Sequence, residues 1–279
     1  MCEQIITLVE RVILDSETKI EHLLDYCNMV RNGNRMQTIE GLTRIRLLLS
    51  LRNCTPIQAV IDTNIVIELI KIVKEKKDEH ARIEATWCLT NIATGTNLQV
   101  SSLVEKGIIP LYVSALDENN LNLLDQIIWG IGNIAGDCIE FRDMLLNAHA
   151  MKHMVTTYRK VKMSGDLKLL RSLIWAASNL CRLKPSPNIT NVITGFEIFA
   201  ESFIESCNSS SHSGKEMDVL IDCSWALISM ITMETIDYVS QSPILPYVIK
   251  CLETTQLVLL HPCLRIVGVF SNAADHICQ

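Results

Sequence analysis

The chain has 279 residues, of which 48% are hydrophobic but only 5% aromatic, and its 31 acidic and 25 basic residues give a formal net charge of −6. This apolar content is enough to bury a large core. The acidic balance argues against a nucleic-acid-binding protein, which normally carries a basic stripe. The most apolar late stretch, residues 248–270, is broken by charged residues and a proline, so we expect no membrane span.

Most of the apolar residues recur with a helical period, and few stretches alternate as strands do, so the sequence predicts an all-α chain. Residues 1–35 are expected to form a separate helical cap. The charged run at residues 71–80 indicates a solvated helix end and loop. The polar Ser/Gly-rich run at residues 207–218 indicates a loop insertion. The 11 cysteines contain no CxxC pair, which is typical of reduced thiols used as small core residues in the cytoplasm or nucleus.

One segment recurs four times along the chain. Its copies are ATWCLTNIATG from Ala85, IIWGIGNIAGD from Ile127, LIWAASNLCRL from Leu173 and CSWALISMITM from Cys223. All four tryptophans of the chain fall at the same position of this segment, at Trp87, Trp129, Trp175 and Trp225. Their spacings of 42, 46 and 50 residues approach the period of armadillo and HEAT solenoids, about 40–47 residues. We therefore expect one solenoid over residues 36–279, with about five repeats and a partial sixth.

An asparagine follows four positions after each of the first three tryptophans, at Asn91, Asn133 and Asn179. Residues spaced by four lie on one face of a helix. A row of tryptophans would form slots for the stems of Lys or Arg side chains, at about 0.5–2 kcal/mol per cation–π contact. A row of carboxamides can bond both N–H and C=O groups of an extended peptide. The pattern thus predicts a peptide-binding surface, in which Gly95 and Gly136 would end their helices.

These motifs, together with PCLRIVG near the C-terminus, resemble the second to sixth armadillo repeats of the importin-α family, the adaptors that recognise nuclear localisation signals. The resemblance covers about residues 20 to 275. It implies a right-handed armadillo superhelix of three-helix repeats with a concave groove that binds lysine- and arginine-rich peptides. Matched one by one, the peptide-binding residues implied here are Trp87, Asn91, Gly95, Gln126, Trp129, Asn133, Asp137, Trp175, Asn179, Arg182, Asp222 and Trp225.

Asp137 matches the acid that receives the best-recognised lysine. The sequence departs from the family pattern at Val100, Ser229 and Val269, where the family often has Thr, Tyr and Asn. The first two departures would weaken the site. The end of the chain after a partial sixth repeat would remove the later repeats and could leave an apolar face for self-association.

The N-terminal region also departs from the family, which carries a basic segment there that binds importin-β. Residues 1–40 contain only four Lys or Arg residues against seven acids, so we expect that segment to be absent and importin-β binding to be doubtful. Two functions therefore stay open. One is a nuclear import adaptor found in cytoplasm and nucleus. The other is a non-transport scaffold or cargo-sequestering protein that keeps the groove without binding a carrier.

No enzyme signature and no cofactor site is expected. His149 and His153 are spaced to share a helix face, but no third metal ligand stands out. The segment GIGNIAG lacks the preceding strand that a phosphate-binding loop needs. Basic signal peptides are the expected partners, without nucleic acid or membrane.

Overall fold

The computed structural model describes residues 18–51, 55–182, 184–209 and 214–273. The described residues form α-helices and short 3-10 helices, with no strand among them. They fall into two compact units that divide between Ile134 and Ala135. Within these same ranges, no helix has the length and hydropathy needed to cross a membrane.

The first unit begins with a 3-10 helix at Ile20–His22. Its α-helices are α1 (Leu23–Asn32), α2 (Arg35–Leu48), α3 (Ile57–Asp62), α4 (Ile65–Glu75), α5 (Glu79–Ile92), α6 (Asn97–Glu105), α7 (Ile108–Ala115) and most of α8 (Leu121–Asp137).

The second unit takes the last three residues of α8 and continues with α9 (Ile139–Asn147), α10 (Ala150–Ser164), α11 (Leu167–Cys181), α12 (Ile189–Val192), α13 (Phe196–Asn208), α14 (Gly214–Met230), α15 (Ile236–Val239), α16 (Leu245–Lys250) and α17 (Leu257–Asn272). Short 3-10 helices lie at Ile193–Gly195 and Cys251–Glu253.

From α3 onward the helices follow one another in sets of three, and the last helix of each of the first four sets carries one copy of the recurring segment. These third helices are α5, α8, α11, α14 and α17, and α2 takes the same place after α1. Within the first unit α2 packs against α5, and within the second α14 packs against α11 and α17. The prediction of an all-α chain is confirmed. The boundary between an N-terminal cap and the repeats stays a prediction.

Polar side chains cap three of the third helices. Asp78 accepts a hydrogen bond from the Ala81 backbone at the start of α5, and Asp166 accepts one from Leu169 at the start of α11. Asn120 accepts from the backbone of Leu123 in α8. Such caps satisfy N–H groups that have no partner inside the helix. In all three helices the cap precedes the tryptophan by nine positions, so the three rings have the same phase.

Two details of the sequence reading are wrong. Residues 207–218 were expected to form a loop, but α13 continues to Asn208 and α14 already begins at Gly214. The intervening residues 210–213 lie outside the described part of the chain. Gly136 was expected to end its helix, but α8 continues through it to Asp137. Glycine in a right-handed helical conformation costs only about 1 kcal/mol relative to alanine, so it does not by itself end a helix.

The prediction for residues 71–80 is confirmed, since α4 ends at Glu75 and α5 begins at Glu79. The reading of the cysteines as small core residues also holds for those described. Of the eight described cysteines, all are free thiols and all but Cys138 are buried.

Gly130 allows a close contact in the first unit. A Cβ atom at this position of α8 would lie 2.3 Å from a ring carbon of Tyr112. Tyr112 is fully buried, and its hydroxyl lies 3.2 Å from Thr90 Oγ1 and donates to the Thr86 carbonyl. The ring is therefore held on several sides and has little room to move away.

Gly130→Ala is expected to lower the free energy of unfolding by about 1–3 kcal/mol, because the added methyl overpacks a filled core. The measurement is urea denaturation followed by circular dichroism. Gly136→Ala in the same helix is the matched control, because its Cβ would meet Asn179 at an ordinary 3.4 Å. The control should leave stability unchanged or raise it by up to about 1 kcal/mol. Equal effects of the two substitutions would contradict the overpacking argument.

Candidate functional site

The predicted peptide-binding residues divide between the two units. The first half-site comprises Trp87, Asn91, Gly95, Gln126, Trp129 and Asn133, all before the division at Ile134. The second half-site comprises Asp137, Trp175, Asn179, Arg182, Asp222 and Trp225. Each half-site lies within one unit.

Trp129 is the most open residue of the first half-site. Its side chain is 46% exposed, although its helix buries Ile127, Ile128 and Ile131 completely. An exposed tryptophan loses the apolar burial that a core position would give it. Its ring is therefore available for contact with a partner.

The two asparagines of the first half-site are held by the repeat that precedes each of them. Asn91 Nδ2 donates to Ser50 Oγ at 3.0 Å, and Asn133 Nδ2 donates to the Thr90 carbonyl at 3.4 Å. Both side chains remain partly exposed. Their Oδ1 atoms make no hydrogen bond to the described residues, so each carboxamide is fixed in place with an acceptor to offer a ligand.

Gln126 and Gly95 have different surroundings from those of the tryptophans. The Gln126 side chain is only 8% exposed, and its buried Oε1 has no hydrogen-bond partner among the described residues. A buried polar atom without a partner is unusual in a folded protein. Gly95 follows the end of α5 by three residues, where a Cβ would lie 2.3 Å from Gln99 Oε1. This atom accepts a hydrogen bond from the Thr96 backbone, so a side chain at position 95 would displace that cap of α6.

A cation covers Trp87, which sequence reasoning missed. The Arg46 guanidinium lies 4.4 Å from the Trp87 ring centroid. Arg46 Nε also donates to Glu84 Oε2 at 2.6 Å, and both charged residues are buried. A signal was present in the sequence, since Arg46 precedes Trp87 by 41 positions, close to one repeat.

In the second half-site, Asp137 is the last residue of α8 and is partly exposed. Trp175 is partly exposed as well, whereas Asn179 is only 7% exposed and lies beside Gly136. The three asparagines therefore differ in exposure, with Asn179 less open to a peptide than Asn91 or Asn133.

Arg182 and Asp222 form an ion pair, with Arg182 Nη2 donating to Asp222 Oδ1 at 2.5 Å. Burial raises the pKa of the Asp222 carboxyl, and this effect outweighs the opposing attraction of Arg182. The loop that carries Arg182 is held by Arg142, which is 1% exposed. Arg142 Nη1 donates to the carbonyls of Arg182 at 2.6 Å and Pro185 at 3.0 Å. Sequence reasoning missed Arg142, because nothing in the local pattern marks it as buried.

Trp225 borders a cavity of about 1120 Å³ that lies entirely within the second unit. The walls are largely apolar, and Ser229 and Val269, the two departures from the expected pattern, both line it. The His261 ring lies 5.5 Å from the Trp225 ring. The charged residues that line the cavity are Arg182, Lys184, Arg265 and Glu234.

The thiols near these residues are protonated at neutral pH. Burial raises the pKa of Cys181 to about 12, and it raises the pKa of Cys88 and Cys223 as well. These three cysteines are therefore poor nucleophiles. His149 adopts a left-handed backbone conformation before α10 rather than lying in the helix with His153. Among the described residues no three His, Cys, Asp or Glu side chains are placed to hold a metal ion.

Comparisons with known proteins agree with this architecture. The family model of the Armadillo/beta-catenin-like repeat matches residues 53–94. Solved structures with the same fold include the designed armadillo repeat protein YIII(Dq)4CqI, with a TM-score of 0.74 at 18% identity over 88% of this chain and 99% of the designed one. Another is the designed armadillo repeat protein YIII(Dq.V1)4CPAF in complex with peptide (KR)4, with a TM-score of 0.70 at 21% identity over 89% of this chain and 99% of the designed one.

The sequence relatives are importin subunits. Importin subunit alpha-1b of Oryza sativa subsp. japonica is 31% identical over 93% of this chain and 47% of its own length. Importin subunit alpha-2 of Arabidopsis thaliana is 30% identical over 85% of this chain and 42% of its own length. The probable importin subunit alpha-A of Dictyostelium discoideum is 28% identical over 90% of this chain and 47% of its own length.

The chain thus spans less than half the length of these relatives. The repeat family, the helical sets of three and the relatives all lead to one conclusion. The chain is an importin-α-like armadillo-repeat protein.

Proposed function

We propose that this protein binds lysine- and arginine-rich nuclear localisation signal peptides through the two half-sites and acts as a nuclear import adaptor in cytoplasm and nucleus. The observation that carries the proposal is the recurrence of a tryptophan at one phase of the third helices, with an asparagine one turn later in three of them. A single exposed tryptophan is common, but a repeated one presents the same contact to successive parts of an extended chain.

The side chains of the first half-site suit such a peptide. Lys and Arg can lay their methylene stems on an indole face and keep the charge near an acceptor. The exposed Trp129 ring supplies such a face. The fixed carboxamides of Asn91 and Asn133 can accept hydrogen bonds from the peptide backbone. Such bonds do not depend on the amino-acid sequence of the peptide. Selectivity then depends on the rings and on nearby acids, of which Asp137 is the main candidate.

Two further observations support a basic peptide. The chain carries a net charge of −6, which favours encounter with a cationic segment. A designed protein of the same fold is known in complex with peptide (KR)4. In an extended peptide alternate side chains face the same way, so an alternating basic sequence presents one kind of side chain to a row of rings.

The adaptor and the cargo-sequestering alternative share this peptide site and differ in the carrier. Binding of purified importin-β to the chain, with and without signal peptide, separates the two. Self-association also stays a prediction, for which the exposed Leu257, Val258 and Leu264 of α17 offer an apolar surface.

A fluorescent lysine-rich signal peptide is expected to bind the wild-type chain saturably, and more weakly at higher salt, in a fluorescence anisotropy titration. Trp129→Ala/Trp175→Ala should weaken binding at least about tenfold, because two cation–π contacts are lost. Asp137→Lys should weaken it by a similar factor, since an attraction becomes a repulsion.

Glu253→Lys is the matched control for the charge change, because Glu253 is an exposed residue of a 3-10 helix far from the tryptophan motifs in sequence. It should change the affinity less than about twofold. An acidic peptide of equal length should not bind. Equal losses in Asp137→Lys and Glu253→Lys would show that only net charge matters and would contradict the proposed site.

Trp225 is expected to contribute little to binding of the same peptide. Its ring already contacts His261, and the cavity has two exposed cations, Lys184 and Arg265, against one exposed acid, Glu234, so its lining does not favour a basic peptide. Trp225→Ala should therefore weaken binding less than about twofold in the same titration. A loss as large as that of Trp129→Ala, measured beside it, would contradict this expectation and would show that Trp225 contributes fully to the second half-site.

A further inference from the structure

Arg46 takes, in helix α2, the place that a tryptophan has in the later third helices. It precedes Trp87 by 41 positions, and α2 packs against α5 as one third helix packs against the next. The first repeated position is thus a cation rather than a ring. Its side chain is directed at the ring of the following repeat.

The contact between Arg46 and Trp87 has the geometry of a bound ligand side chain. The guanidinium carbon lies 4.4 Å from the ring centroid, well inside the cation–π range of about 6 Å. Nε donates to Glu84 Oε2 at 2.6 Å, so a carboxylate neutralises the cation. The Arg46 and Glu84 side chains are only 11% and 9% exposed. A cation, an indole face and an acid together form the arrangement proposed above for a peptide lysine or arginine.

We propose that Arg46 is an internal substitute for a peptide side chain, which closes the slot beyond Trp87 and thereby fixes one end of the basic-peptide site. This inference rests on the proposed function, because it defines where that site stops. Trp87 then has one face covered by the protein itself, and only its other side remains for a ligand. The number of basic side chains that the chain reads is reduced by one.

Removal of the Arg46 side chain should uncover a slot that can hold another cation. When the guanidinium is removed, the Trp87 face and the Glu84 carboxylate become open to solvent at the same place. Glu84 is then a partly buried acid without its cation, which strongly favours a replacement cation from a ligand. A peptide that carries one more lysine at the matching position should fill the slot. Since alternate residues of an extended peptide face the same way, that lysine lies two residues beyond the core sequence.

The test compares three fluorescein-labelled peptides: a basic core, the same core with one lysine two residues before it, and the core with one lysine two residues after it. Both extensions are used because either end of the peptide could face Trp87. For wild type, the extension at the Trp87 end should change the affinity less than about twofold. Arg46→Ala should raise the affinity for one extended peptide about five- to tenfold over the core, and leave the other extension as in wild type.

Three further variants separate the causes. Arg46→Ala/Glu84→Gln should reduce the gain to about twofold or less, because the acid that holds the new cation is gone. Arg46→Gln keeps a hydrogen-bond donor for Glu84 while it uncovers the ring, and should give a smaller gain of the same sign. If circular dichroism shows that Arg46→Ala is misfolded, Arg46→Gln still tests the proposal. Arg159→Ala removes an exposed arginine of α10 and should raise the affinity for core and extended peptides alike.

The outcomes are distinct. The inference is overturned, while the proposed function stands, if wild type binds the core peptide and the folded variants show no preference for an extended peptide beyond that of wild type. The variants in question are Arg46→Ala and Arg46→Gln. The inference is also overturned if Arg159→Ala raises the affinity for the extended peptide relative to the core peptide as much as Arg46→Ala does, because charge alone would then explain the result. If wild type binds none of the peptides, the proposed function fails and this inference fails with it.

Discussion

The structure depends on one constraint, which is that no set of three helices can bury its apolar faces alone. In each unit the third helices cover one another, as α2 and α5 do in the first and α11, α14 and α17 in the second. One side of each third helix is buried in the repeat and another against its neighbour. The side of the helix that stays uncovered is the same from one repeat to the next, so a residue on that side recurs in successive repeats. The candidate site is a consequence of this packing and needs no separate scaffold.

Helix capping recurs at the same position relative to three of the tryptophans. Asp78, Asn120 and Asp166 begin their helices at the same distance from Trp87, Trp129 and Trp175. These caps satisfy N–H groups that have no partner inside the helix. The direction in which each tryptophan points is decided by the side on which its helix packs.

Charge distinguishes the two halves of the proposed site. The first half-site has an exposed ring, which favours a cationic ligand, and fixed carboxamides whose oxygens can accept from a peptide backbone. It is closed at one side by the chain's own cation, Arg46. In the second, the cations Lys184, Arg182 and Arg265 border the cavity next to Trp225. Although Asp222 neutralises Arg182, its burial opposes ionisation. The same repeated frame thus presents different electrostatic surroundings in different repeats.

The sequence by itself determined the helical class, the repeat and the phase of the tryptophans, because periodicity and spacing are local properties that survive in one dimension. It also located the polar loop between residues 71 and 80 and the buried cysteines. Only the tertiary structure decided which side chains are open and which are already occupied. Asn91, Asn133 and Asn179 look equivalent in sequence, yet neighbouring repeats leave the first two partly exposed and bury the third. Likewise Arg46 reaches Trp87, and Arg142 holds the loop of Arg182, across about 40 residues. Contacts of that separation depend on how one repeat packs on the next, which a local pattern does not contain.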